Sequence, residues 1–413
     1  MMMKTIALLG VLVTVSLAAV AQVEPAATGP ARATGTLDYS LHDSVTAWWS
    51  AVLGSQEANS VSGVVDYTAG KARQPLSVSY SGGYTFNIAG ENYDSGYFQN
   101  LRLAQTISGR KWRLRIGDVI TYLPQAPTLG TAGIPGLGDP LTGPPTTGNP
   151  SQTVLTQNTH TINNMTTASF SIPITFAISL IADGTYQILR YPDLNGLDTT
   201  AMYGGGGITD RLDARTTLGG DVRESRYSYS GSSIAFTTTS MVVSISHNWS
   251  KGFSTHAAVG PDWISSHESS TGIPSSTNLS ITGGASYHKR FDTISLDYYH
   301  GDNGGSGVFY GAQFNSLSAS YSRMIEKKTI LSARFGWVQD SGLQAGSGSS
   351  SGVFAGASFS RKLGKQFSFG TSYTATEQTQ TGTIAGTAFS GLLQGVSVSL
   401  GYAPRGMKNV GQR

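Results

Sequence analysis

The chain carries seven histidines, at positions 42, 160, 247, 256, 267, 288 and 300, and no cysteine. Without cysteine there are no disulfides, thiolate-held zinc or thiol nucleophiles. No two histidines stand in H-E-x-x-H spacing, which excludes the zinc-peptidase helix. Serine is so frequent that a Ser beside a His carries no weight as a nucleophile–base pair. Four consecutive glycines, Gly204 to Gly207, precede no helix start. They are therefore no phosphate cradle and read instead as a strand where a wall is thin or curved. Asp193, Asn195 and Asp198 offer closely spaced oxygen ligands of the kind calcium loops use. The closing Glu and the flanking helices of an EF-hand are missing, so they make a weak calcium candidate beside an ordinary Asx turn. No catalytic set and no cofactor-binding motif emerges.

The charges are more informative than the nucleophiles. In residues 111–116, Trp112, Leu114 and Ile116 alternate with Lys111, Arg113 and Arg115. Alternation sends the two sets to opposite faces of a strand. The same parity test puts Arg102, Arg215, Asp221, Arg223, Asp297 and Arg334 opposite apolar neighbours. If the apolar face meets lipid, Arg113, Arg115 and these six residues, eight in all, line an interior. A positively lined, confined passage favours anions.

Period-two segments of this kind recur along the whole chain. Leu76, Val78 and Tyr80 alternate with serines, and so do Val396, Val398, Leu400 and Tyr402 with Ser and Gly. The polar parity is small and uncharged: charged residues are only 12% of the chain, while Gly numbers 52. Soluble domains carry about 25% charged residues. Seven Glu and ten Lys are too few for polar helix surfaces. The aromatic content, 10%, argues against disorder. A net charge of +3 is too small to imply nucleic acid. The connections alternate between tight turns, near 70, 109, 172, 210, 250, 290, 326 and 364, and longer Gly/Ser/Pro-rich loops. The long set lies near 52–60, 89–96, 123–156, 192–198, 230–235, 265–276, 302–307, 341–351 and 379–391. Short turns at one rim and long loops at the other mark an all-β, antiparallel up-and-down transmembrane barrel. The turns predict eighteen strands, or sixteen if the segment 36–50 is not one. Trp48, Trp49, Trp112, Trp249, Trp263, Trp337 and Tyr402 sit near strand ends, where aromatic girdles belong.

Lys4, the apolar run Ile6–Ala21 and the A-x-A at Ala19–Ala21 read as a secretory signal peptide. The expected organisation is a signal at 1–21, a flexible leader at 22–33, the barrel at 34–402 and a tail at 403–413.

The run Phe98 to Gly130, together with Y-S-G-G-Y at 80–84, G-I-P-G-L-G-D-P at 133–140 and G-Y-A-P-R at 401–405, resembles a family of largely uncharacterised acidobacterial-type outer-membrane barrel proteins. The resemblance implies fold and location and brings no activity or site residues. The last strand also resembles the terminal signal of the barrel-assembly machinery, except that eleven residues follow Tyr402. The expected function is a passive, porin-like channel in the bacterial outer membrane. Its partners are outer-membrane lipid, that machinery and small hydrophilic solutes, and it is no enzyme. The alternative is a non-conducting scaffold or adhesin that displays loops. Oligomeric state is not legible. The segment 123–156, with seven of the fifteen prolines, is expected to fold inward or cap the mouth, narrowing the channel beside Arg113 and Arg115.

Overall fold

A strand crossing a bilayer must satisfy every backbone N–H and C=O within the protein, since lipid offers no partners. The chain meets that demand by closing one sheet on itself. The computed structural model describes residues 35–52, 54–69, 74–90, 95–123, 160–193, 196–266, 272–382, 390–404 and 407–410. The signal peptide, the leader, Asn195 and nearly all of segment 123–156 lie outside these residues.

The strands are β1 Gly35–Ser50, β2 Gly54–Ala69, β3 Leu76–Ala89, β4 Gly96–Ser108, β5 Arg113–Leu123 and β6 Thr161–Pro173. They continue with β7 Ile178–Arg190, β8 Thr199–Arg211, β9 Thr216–Tyr229, β10 Ala235–Asn248, β11 Phe253–Ser266 and β12 Ser276–Lys289. The series ends with β13 Asp292–Asn303, β14 Ala312–Ile325, β15 Thr329–Gly342, β16 Ser349–Lys362, β17 Phe367–Thr381 and β18 Gly391–Tyr402. Each pairs antiparallel with its sequence neighbours, and β1 pairs with β18 from Leu41↔Tyr402 to Ser50↔Leu393. The result is a closed 18-stranded antiparallel barrel. A four-residue strand, β19 Met407–Val410, lies against the start of β1. The segment expected as a plain tail therefore contributes to the sheet.

The alternation sorts as its chemistry demands. Leu296 on β13 is 46% exposed and Met202 on β8 is 56% exposed, both on the outer surface, while their strand neighbours Asp297 and Tyr203 face inward. Serines stack on the inner face, as in the Ser295–Ser320, Ser332–Ser358 and Ser372–Ser397 hydroxyl pairs. One rim carries the short turns, including 109–112, 212–215, 290–291 and 326–328; the other carries the longer loops. Arg290, Glu326 and Lys327 adopt positive φ, the strain that these tight reversals impose.

Three expectations are corrected. The stretch 52–60 is mostly β2, reached through a connection at 51–53, because β1 and β2 run unbroken to the rim. Trp48 is no girdle residue. It shares parity with Ser44 and Ser50, is 2% exposed on the lumen side, and donates from Nε1 to Gln56 Oε1 at 3.0 Å. The lumen is also not uniformly polar. On its long-loop side the inner face carries Tyr203, Tyr227, Tyr229, Phe236 and Ile264, packed as an apolar core with Ile273.

Candidate functional site: the lumen wall and an inward-folded loop

The lumen wall collects the charged residues that the parity test singled out. Arg102 (β4), Arg113 and Arg115 (β5), Asp221 and Arg223 (β9), Asp297 (β13) and Arg334 (β15) all alternate with outward apolar residues, such as Leu103, Ile116, Val222, Leu296 and Phe335. Arg215 does not belong with them. It lies in the turn 212–215, held there as Asp213 accepts the backbone N–H groups of Arg215 and Thr216. Those donors hold the Asp213 carboxyl below its ordinary value.

Parity in the folded sheet adds carboxylates that the sequence analysis passed over. Asp38, Asp66, Asp183, Asp262 and Asp340 share the inward parity of their strands; the first four alternate with apolar residues, and Asp340 is two residues beyond the inward Val338. The same alternation could have found them; Asp183, for instance, lies between Leu180 and Tyr186. With Arg211 and Lys362 closing the same face at the short-turn rim, seven cations (Arg102, Arg113, Arg115, Arg211, Arg223, Arg334, Lys362) and seven anions (Asp38, Asp66, Asp183, Asp221, Asp262, Asp297, Asp340) share the inward parity among the described residues, and Asp302 is buried beside them on Asn278. The expected excess of lumen arginine disappears.

Glycines arrange these charges. Asp183 pairs with Gly205, and Gly205 with Arg223, in one cross-strand row. A Cβ at Gly205 would come within 2.9 Å of Val222 O and 3.3 Å of Arg223 Cβ. Its absence lets the arginine lie across β8, with Nη2 3.7 Å from Asp183 and 3.9 Å from Asp221. The row His256–Gly284–Asp297 repeats the device: a Cβ at Gly284 would sit 2.4 Å from the His256 ring and 2.6 Å from Asp297 Oδ1. Two of the four glycines at 204–207, Gly205 and Gly207, therefore serve as floors for charged side chains.

The lumen is narrowed by a loop the sequence did not single out. The loop between β13 and β14 folds inward: Gly304, Gly305, Gly307 and Gly311 are buried, with Val308 and Phe309 at 1% and 3% exposure. Positive φ at Gly305, Gly307 and Gly311 makes the reversal possible. The loop is tied to distant strands: Tyr229 Oη donates to Gly304 O (3.1 Å), and Leu197 N and Leu343 N donate to Gly307 O (2.7 Å) and Gly311 O (3.0 Å). Tyr310 packs edge-on against Tyr229, and Phe236 lies beneath Gly311. Burial, with the charge of Asp198 nearby, pushes the phenol of Tyr191 up, so the ring that abuts Gly307 stays neutral. A signal for this packing existed in the sequence. Tyr298–Tyr299 and Trp337–Val338 put apolar groups on both parities, and Tyr299 and Val338 are buried inside with Phe314.

Of the three calcium candidates, Asp193 and Asp198 lie among the described residues and take part in hydrogen bonds within the protein. Asp193 Oδ2 accepts from His160 N (2.8 Å) and contacts His160 Nδ1 (2.6 Å), so it clamps the returning end of the segment before β6. The backbone N–H of His160, then its ring, hold the Asp193 carboxyl below its ordinary value. Asp198 accepts the Tyr191 N–H at 2.7 Å and faces Arg190. No group of three or more metal-ligating side chains occurs among the described residues.

No protein-family model and no curated protein matches the chain. Among solved structures, the chain is similar to OccK2 (OpdF) of Pseudomonas aeruginosa, with TM-score 0.48, 11% identity, and coverage of 89% of this chain and 98% of that one. A BenF-like porin from Pseudomonas fluorescens Pf-5 gives TM-score 0.49 at 10% identity, covering 90% and 98%. A complex of OccK2 (OpdF) with glucuronate gives 0.47 at 12%, covering 89% and 98%.

Proposed function

We propose that the chain is an outer-membrane channel that passes small hydrophilic solutes passively. The observation that carries this reading is a closed barrel of eighteen strands whose outer surface is apolar and whose inner wall carries Ser, Thr, Gly and balanced charge. Barrels of this strand number enclose water unless something fills them. An apolar outer band with short turns at one rim and long loops at the other fits the outer membrane. The resemblance of Phe98–Gly130 to acidobacterial-type barrel proteins agrees with that location. Lipid surrounds the barrel, and solutes pass beside loop 304–311. The test is reconstitution of the purified protein in planar bilayers. Discrete conductance steps are expected, with larger steps after deletion of 304–311. Silence from both proteins would favour the scaffold reading, in which the barrel only displays its loops.

A further inference from the structure

The rim that carries the short turns is not evenly charged. Three neighbouring turns, joining β12 to β13, β14 to β15 and β16 to β17, gather cations on one arc. Lys289 and Arg290 stand at the first, Arg323, Lys327 and Lys328 at the second, and Arg361, Lys362 and Lys365 at the third; all eight are exposed. The carboxylates in the same segments, 289–292, 323–328 and 361–367, are Asp292 and Glu326, which leaves a net charge of +6. On the far side of the barrel the same rim is neutral. Turn 174–177 has no charged residue, and Asp210 and Asp213 balance Arg211 and Arg215.

Parity divides the eight cations. Lys289, Arg323 and Arg361 lie on the outward face of their strands, each two residues closer to the turn than an aromatic side chain on that face: Tyr287, Tyr321 and Phe359. Across the sheet, Arg323 is paired with Leu331 and Arg361 with Phe369, both on the outer surface. Lys362, one residue beyond Arg361, has the inward parity. Arg323 Nη1 lies 3.8 Å from Asp292 Oδ1, an oxygen that also accepts from Tyr321 Oη at 2.9 Å. That one shared carboxylate does not offset three turns of cations. Exposed apolar side chains reach into the same patch at Ile325, Leu363 and Phe367.

A cation set just below an aromatic and aliphatic wall matches the build of a lipid. Acyl chains lie along the apolar side chains, and the phosphate meets the cation at their foot. An acidic soluble protein would engage the turn tips, Lys327, Lys328 and Lys365. It would have no use for Lys289, Arg323 and Arg361, which stand on the side wall.

We propose that the outer face of β12–β17, at the short-turn rim, binds anionic phospholipid. Lys289, Arg323 and Arg361 hold the phosphates, and the turn cations add to the attracting field. The arc therefore enriches phosphatidylglycerol over the zwitterionic phosphatidylcholine. The site rests on the barrel's place in a membrane and holds whether or not the lumen conducts.

The chain has no cysteine, so Leu331→Cys sets a single thiol beside Arg323, and Ile208→Cys sets one on the outward face of β8, on the neutral side. Each protein carries a fluorophore on that thiol and is reconstituted in vesicles of mixed phosphatidylglycerol and phosphatidylcholine. Quenching by brominated chains on one lipid is compared with quenching by brominated chains on the other. Both leaflets have the same composition, so the direction of insertion does not matter. The phosphatidylglycerol-to-phosphatidylcholine quenching ratio at 331 should exceed that at 208 by about fivefold at low salt, the effect of one basic contact. The two ratios should converge in molar salt. Lys289→Gln, Arg323→Gln and Arg361→Gln together should erase the excess, and Lys362→Gln, on the lumen side, should keep it.

Equal ratios at 331 and 208 at low salt overturn the proposal, and so does an excess that survives the triple substitution. Equal ratios together with binding of poly-glutamate to the reconstituted protein reassign the patch to an acidic protein. The comparison of 331 with 208 needs no charge substitution, so it decides the matter even where the triple variant fails to insert. Conductance from the same vesicles tests the channel separately. Silence with an excess at 331 removes the channel and keeps the lipid site, and conductance with equal ratios does the reverse.

Discussion

At the scale of single residues, this wall is built by what is left out as much as by what is put in. Arg223 reaches Asp183 only because residue 205 lacks a side chain. Gly205→Val should therefore cost about 1–3 kcal/mol through the forced shift of neighbouring backbone and the displaced ion pair. Gly204→Ala, outward and with nothing within 4 Å of the added Cβ, should be neutral within about 0.5 kcal/mol. Equal losses in a membrane unfolding titration would contradict the lumen assignment of the row. The His160–Asp193 contact has its own pH signature. Asp193's carboxyl is held below the ordinary value of 3.8 by the His160 backbone N–H and ring. Its contribution is complete above that value and is lost as the pH falls through the lowered one. Amide exchange at His160 should accelerate only in that acid window, and Asp193→Ala should bring the fast exchange to neutral pH.

At the scale of the strand, the outcome of a substitution is set by parity. Leu296→Arg puts a cation on the outer face and should destabilise the barrel by about 2–4 kcal/mol near mid-bilayer. Ser295→Arg, one residue away, points into the lumen, where Ser295 meets Ser320 at 2.8 Å. It should be tolerated within about 1 kcal/mol, provided the lumen holds water. Heat-modified gel mobility and unfolding midpoints of the two variants check this. Parity is also why so much of the fold was legible. Leu76–Tyr80 and Val396–Tyr402 each declare a strand and its two faces, and the short turns declare the rim. The segment 36–50 settles as β1 because its register with β18 closes the sheet, a long-range fact that alternation alone does not contain. Arg215 was misplaced because parity persists into a turn, where the side chain no longer has a wall to face. Loop 304–311 was passed over because its inward path depends on partners at Tyr229, Leu197 and Leu343, far apart along the chain. Besides Asp221 and Asp297, other lumen carboxylates were legible and unread: Asp183 and Asp262 obey the same alternation as Arg113 and Arg115.

At the scale of the whole molecule, balanced lumen charge replaces the positive lining that the arginines alone suggested. If the barrel conducts as proposed, the zero-current potential in a salt gradient should lie near zero for the native protein. Arg113→Ser with Arg115→Ser removes two of the seven lumen cations and should make it cation-selective. A native protein that is strongly anion-selective would mean that the carboxylates are neutralised. Orientation is testable too: a tag at Gly348 should be reachable on intact cells and one at Gly364 should not, since the two sites lie at opposite rims. The seam between β1 and β18 reaches beyond transport. The first strand's final partner is the last strand, joined along Leu41–Ser50. A polypeptide cut short before Gly391 therefore has two raw borders that hydrocarbon cannot satisfy, however well its other strands are made. The architecture acts as a checksum on synthesis: unfinished copies remain digestible while finished ones resist, and a protease can tell them apart without reading any particular sequence.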